Sequence, residues 1–211
     1  MLRDENYNFY LKTVFNKIYD FAAKEKLTRP LIVCCGGETD MIKPCKRNEA
    51  DEMIKFFTEF IKQRPFLYPI TKNWLFIAEN KSLSTLENLI NSKKIIEKRK
   101  IKNAKFLIFC EQTRENRIKV LAKKILNNYN FLVVPIDFDV SANRYLSREF
   151  LAKKEKAELE HSVWALQNPE NLKKHHKVFV EKIEYLRKAG PRAHVEAMQK
   201  WWKQKLKELK S

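Results

Sequence analysis

Residues 74–88 read Trp74-Leu75-Phe76-Ile77-Ala78-Glu79-Asn80-Lys81-Ser82-Leu83-Ser84-Thr85-Leu86-Glu87-Asn88. Five apolar residues come first, with no polar alternation. Such a run is too short for a helix of ordinary length. Apolar side chains pointing both ways suit a strand covered on both faces, as in a parallel sheet. A polar stretch follows. Ser84, with Glu87 three residues on, then spells a capping box. Leu86, Leu89, Ile90 and Ile96 recur at helical spacing behind it. Strand, polar turn and capped helix make the repeating unit of a βαβ crossover.

The same unit recurs on either side. Leu31 to Cys35 is a short apolar run after Pro30, closed by Gly36 and Gly37. Phe106 to Cys110 is a third strand, and Phe131 to Val134 a fourth, stopped by Pro135. Between them lie helical stripes: Ala50, Met53, Ile54, Phe57 and Ile61, capped by Asn48, and then Ile118, Leu121 and Ile125. Arg64 to Thr71 holds two prolines and reads as a connector. Tyr7, Leu11, Val14, Ile18 and Phe21 stripe a first helix over residues 5–25. Four strand units separated by helices predict an α/β domain with a mostly parallel sheet of about four strands, joined by right-handed crossovers.

The last third changes character. Residues 145–167 predict a long charged helix, broken by Asn168-Pro169. A second helix carries Leu172, Phe179, Ile183 and Leu186, and ends near Gly190-Pro191, a helix-stop pair. A third carries Val195, Met198, Trp202 and Leu209. These helices either cover the sheet or project as a small subdomain, and covering is preferred. The expected division is an α/β core over residues 1–140 with C-terminal helices over 141–211.

The 211 residues carry 43 Lys and Arg against 26 Asp and Glu, a formal charge of +17. The excess is local. Residues 91–130 hold 12 basic and 3 acidic groups, and residues 141–211 hold 17 and 9. A field of that sign favours anionic partners: nucleotides, nucleic acid, an anionic lipid or an acidic protein. A lysine-rich solvated surface accounts for it as well. Cys34, Cys35, Cys45 and Cys110 make no CxxC pair, which disfavours a zinc site or a disulfide framework and fits a reducing, cytoplasmic setting. The N-terminal stretch is amphipathic and does not read as a secretory signal. No run of 18 apolar residues exists.

Three loops would trail the strands at their C-terminal ends, where open α/β sheets bind ligands. The first holds Gly36 and Gly37, then Glu49 at the next helix. Glycines there let backbone approach a ligand, although a tight turn explains them equally well. The second holds Glu79, Ser82, Thr85, Glu87 and Asn88. A helix start can hold an anion, although plain capping also accounts for Ser84 and Glu87. The third holds Arg114 and Arg117, able to clamp a phosphate or carboxylate, or else a surface pair, or Arg117 tied structurally to a glutamate of the 79–88 stretch. Asp137 and Asp139 follow the fourth strand. The four histidines lie in the last third and give no Ser/His/Asp order, so a hydrolytic triad is not supported. His175-His176 reads as helix surface. Trp201 and Trp202 amid lysines read as core anchoring rather than a nucleic-acid element.

Taken together, these segments resemble the YdcF-like family, which includes SanA and ElyC. Residues 79–88 look like that family's E-x-x-S-x-N/D-T-x-E-N signature. Glu79, Ser82, Thr85, Glu87 and Asn88 match it, with Ser84 where Asn or Asp is usual. Leu31 to Gly37 resembles its strand ending in a glycine pair, Glu49-Ala50 the opening of its next helix, and Arg117 its later arginine. Arg114 stands where that family has a histidine, and no strand with a glycine loop precedes the first helix, although Arg3 is a loose match to an arginine after it. The resemblance spans about residues 3–140. It implies a Rossmann-like three-layer sandwich with a polar pocket, and S-adenosylmethionine or another nucleotide as a cofactor by resemblance alone. The expected function is binding of an anionic or nucleotide-like small molecule, with group transfer or hydrolysis the open reaction class and Glu79 or Glu87 its acid-base group. The alternative is a non-catalytic basic module for nucleic acid, anionic lipid or an acidic protein. The sequence fixes neither a metal nor an oligomeric state.

Overall fold

Each apolar run becomes a strand because helices bury it from both sides. The computed structural model describes residues 5–41, 43–137 and 147–208. In chain order, α1 (Glu5–Lys24) leads to β1 (Leu31–Cys35), α2 (Glu49–Lys62), a one-turn α3 (Tyr68–Thr71) and β2 (Leu75–Glu79). Then come α4 (Thr85–Lys98), β3 (Lys105–Glu111), α5 (Glu115–Ile125) and β4 (Asn130–Ile136). Three long helices close the chain: α6 (Arg148–Ala165), α7 (Pro169–Ala189) and α8 (His194–Glu208).

Among the described residues all strand pairing is parallel. Leu31 to Cys35 lie opposite Leu75 to Glu79, and Lys105 to Glu111 opposite Asn130 to Ile136. Among the described residues the ladders form two pairs, β1-β2 and β3-β4. One layer holds all four strands. On one face α1 and α2 bury Leu11, Phe15 and Phe57 against Ile32 and Cys34 of β1, with Phe109 of β3 and Val134 and Ile136 of β4 in the same core. On the other, α4 and α5 bury Leu86, Leu89, Leu121 and Ile125 with Phe106 and Ile108. The molecule is thus an α/β three-layer sandwich of Rossmann-like form.

The fourth strand runs through Pro135 rather than stopping before it. β4 pairs only with β3 among the described residues. An edge strand tolerates proline because the missing N–H would have faced away from the ladder. The connector at 64–71 contains a 3-10 turn, Pro65–Leu67, as well as α3. The C-terminal helices do not project. α6 adds Leu159, Val163 and Ala165 to the α4-α5 core. α7 and α8 follow it, and Trp202 is buried.

Candidate functional site

The strands end together, so their exit loops meet at one edge. The glycine pair after β1 joins two of them. Gly36 N–H donates to Glu79 O at 2.9 Å, and Gly37 N–H to Ser82 O at 2.7 Å. The glycine carbonyls accept from Ala50 and Glu49 N–H at 3.0 and 3.1 Å, which spends the first amides of α2. A Cβ on Gly37 would meet Ser82 O at 2.9 Å. One on Gly36, at φ +144, would meet the Glu49 Cβ at 2.6 Å. Close approach of the Ser82 backbone therefore accounts for Gly37, and a positive φ with the Glu49 side chain packed against it accounts for Gly36.

The loop after β2 closes on itself. Buried Glu79 accepts from Lys81 N–H at 3.1 Å and Asn91 Nδ2 at 3.0 Å. The Ser82 hydroxyl lies within hydrogen-bond reach of both Glu79 and Asn88. Ser84 caps α4, accepting from Glu87 N–H at 3.3 Å. Glu87 reaches one residue further back than a capping box requires, to Leu83 N–H at 2.7 Å. Thr85 is half-buried in the first turn of α4. These residues are gathered in one place, and most of their hydrogen bonds are internal.

The C-terminal helices close over this edge, with contacts to the loops after β1 and β2 and to α5 beyond the loop after β3. Arg187 of α7 donates to the carbonyls of Glu38, Asp40 and Cys45 at 2.8, 3.1 and 3.3 Å. His175 Nε2 lies 3.1 Å from Ser84 Oγ, and His176 Nδ1 2.7 Å from Glu87 Oε1. Buried Arg117 donates to Glu155 at 2.7 Å and also pairs with Glu158, both of α6. Sequence spacing placed both histidines on the helix surface. His176 is half-exposed there, but His175 is only 1% exposed.

Between the loops of β1 and β3 a charged cluster faces α7. Glu49 accepts from Thr39, and Arg114 pairs with Glu111 at 3.1 Å. Burial pushes the Glu49 carboxyl up, against the pull of Thr39, Arg114 and Lys182. Glu111 beside it holds the Arg114 guanidinium firmly charged. Glu158 stays below the ordinary carboxylate range although burial opposes it, because Arg117, Lys154 and Lys182 surround it. Tyr7, at the start of α1, lies within electrostatic reach of Glu49, Glu111 and Arg114, and burial pushes its phenol up.

Lys182 is the residue that sequence spacing missed, since it reads as one more lysine on an amphipathic helix. Its ammonium lies 5.4 Å from the Phe179 ring and 5.3 Å from that of Trp202. Those rings are its contacts among the described residues, with no hydrogen bond or ion pair. Burial pushes its pKa down to about 8; Glu158 opposes the shift, while Lys154, Arg114 and Arg117 add to it.

Other chemistry is less well served. Ser84, His175 and His161 form a chain, with the two Nδ1 atoms 3.0 Å apart. Burial lowers His175 to about 3, so it is a poor base at neutral pH. The third member is an imidazole rather than a carboxylate. Burial pushes Cys34 and Cys35 up to about 12 and Cys110 to about 11, away from thiolate chemistry. Among the described residues no cluster of three His, Cys, Asp or Glu could hold a metal ion. Asp137 is exposed at the exit of β4, and Asp139 lies outside the described residues, as does Arg3.

Compared with known proteins, the chain matches no family model, no curated protein and no solved structure.

Proposed function

We propose that this chain is a divergent YdcF-like protein that holds a small anion, a carboxylate or a phosphate such as a nucleotide carries, beneath α7 at the C-terminal edge of its strands. Lys182 carries the proposal. A partly buried ammonium that makes no direct ion pair is costly, and Glu158 offsets that cost only in part. Within its electrostatic reach stand Arg114, Arg117 and Lys154 against Glu158, and Glu49 nearby is shifted toward its neutral form. A bound anion would supply the missing counter-charge. Arg114 would add a planar second contact.

Gly36, Gly37, Glu79, Ser82, Thr85, Glu87, Asn88 and Arg117 then form the wall, holding the loops in register. Glu49 takes over the acid-base part first assigned to Glu79 or Glu87, because burial raises its pKa, so that it keeps a proton more readily than an ordinary carboxyl, and because it lies outside the hydrogen-bonded loop after β2. Group transfer or hydrolysis on the anion is the reaction class open to it. S-adenosylmethionine enters through the family resemblance alone. No helix among the described residues is long and apolar enough to cross a membrane. The four free cysteines support placing the chain in the cytoplasm.

Thermal shift with inorganic phosphate, pyrophosphate, nucleoside diphosphates and S-adenosylmethionine tests the proposal. A ligand present at 100 times its Kd stabilises by about 2.7 kcal/mol. Lys182→Met should abolish most of that shift and leave the unliganded protein as stable or slightly more so, since it removes an unpaired cation. A shift unchanged in Lys182→Met, or no shift with any anion, defeats the proposal.

A further inference from the structure

The opposite edge of the strands carries chemistry that the crevice does not use. In a parallel layer every helix runs back along the strands, so every segment leading into a strand arrives at one edge. Here those segments are residues 25–30, 63–74, 99–104 and 126–129. Together they hold seven Lys and Arg but a single carboxylate, Glu25. Arg29 precedes β1, Lys72 precedes β2, and Lys100 and Lys102 precede β3. All four are exposed, and among the described residues none is paired with a carboxylate.

Apolar side chains are exposed in the same segments. Of seven large hydrophobic residues exposed among those described, four lie there: Leu27, Phe66, Tyr68 and Ile101. Phe66 is 71% exposed and Tyr68 62%. Tyr68 also borders a groove of about 420 Å³ lined by Ile61, Lys62, Pro65 and Phe76. Folding would ordinarily bury rings of that size.

We infer that this edge binds single-stranded nucleic acid. Exposed rings beside unpaired cations match both demands of an unpaired strand: a platform for base faces and countercharge for phosphates. A duplex hides its base faces and would leave Phe66 and Tyr68 unused. A lipid surface would call for one continuous apolar face on an amphipathic helix, whereas these rings sit at one end of a basic ribbon.

Fluorescence anisotropy on the full chain tests this, using labelled oligouridylate, oligothymidylate and a duplex of equal length. Single strands should bind more tightly than duplex, with affinity falling steeply between about 50 and 200 mM salt. Phe66→Ala with Tyr68→Ala should weaken single-strand binding roughly fivefold or more and leave duplex binding unchanged. Lys100→Glu with Lys102→Glu should weaken both and flatten the salt dependence. Circular-dichroism melts establish that each variant is folded, and exposed positions favour that outcome. The inference is overturned by no binding, by equal duplex binding that ignores the rings, or by loss of binding only on Lys200→Glu with Lys203→Glu in α8. Capture of the chain by phosphatidylserine vesicles in place of the oligonucleotides also overturns it.

Discussion

Arg117 takes its charge into the interior because two glutamates of α6 meet it there. It stood among the candidate ligand contacts, and its residue type and position gave no way to exclude that. Glu155 lies 38 residues further along the chain, and local spacing does not encode such a partner. His175 shows the same limit, since its contact with Ser84 spans 91 residues. The buried histidines also set an acid limit on stability. An unfolded histidine binds a proton near pH 6.5, whereas burial lowers folded His175 to about 3. The stability it contributes is therefore complete above pH 6.5 and is lost progressively as pH falls toward the folded value. The slope is about 1.4 kcal/mol per pH unit for each such group. His161 and His194 are lowered too and add to it. Glu158, held low, adds its own loss only below the ordinary carboxylate value of 4.5. Glu49, pushed up, works with the opposite sign above that value. Urea unfolding between about pH 5 and 6.5, on the chain and on a variant that keeps Glu49, separates the His175 contribution from that of Glu49. Stability should fall with acid over that interval, and His175→Asn should flatten the fall. Identical slopes in the two proteins would show that His175 titrates normally in the folded state.

The elements were the most legible level, and the reasons are local. Each strand announced itself as an unbroken apolar run because helices cover both faces of the layer. The Ser84–Glu87 pair marked the start of α4, and Asn168-Pro169 the start of α7, where Asn168 accepts from Asn171 N–H at 2.8 Å. Which strands bond to which was not legible, because that depends on the order of the layer rather than on any strand's own composition. The two ladders have a consequence at the centre. Gly36 N–H donates to Glu79 O. By the two-residue repeat of a strand, the amides of Ile32 and Cys34 face β2 as well, while those of Val33 and Cys35 face the other way. No ladder joins β1 to β3 among the described residues. Amide exchange followed by NMR should therefore show Ile32 and Cys34 protected, and Val33 and Cys35 exchanging at least tenfold faster. Equal protection along β1 would mean that a further strand pairs with that edge.

The charge of the whole molecule works against its compactness. With +17 at neutral pH, cations repel one another across the surface, and folding brings them closer than the unfolded chain does. The exposed pairs offset little of this. Lys119–Glu115 and Lys153–Glu149 are solvent-screened helix-surface contacts at 2.6 Å and contribute little. Salt weakens those pairs, but it weakens the longer-ranged repulsion more, because the Debye length shrinks from about 30 Å at 0.01 M to about 8 Å at 0.15 M. Repulsion should win, so melting temperature should rise with sodium chloride over that range. A gain of about 1 kcal/mol corresponds to roughly 2–4 °C for a chain of this size. The buried Arg117–Glu155 and Arg117–Glu158 pairs lie out of reach of screening and should not register. Differential scanning calorimetry at the two salt concentrations measures the balance. A melting temperature that falls on adding salt would mean that attraction between surface charges outweighs their excess, and that the basic edge is compensated by carboxylates other than Glu25.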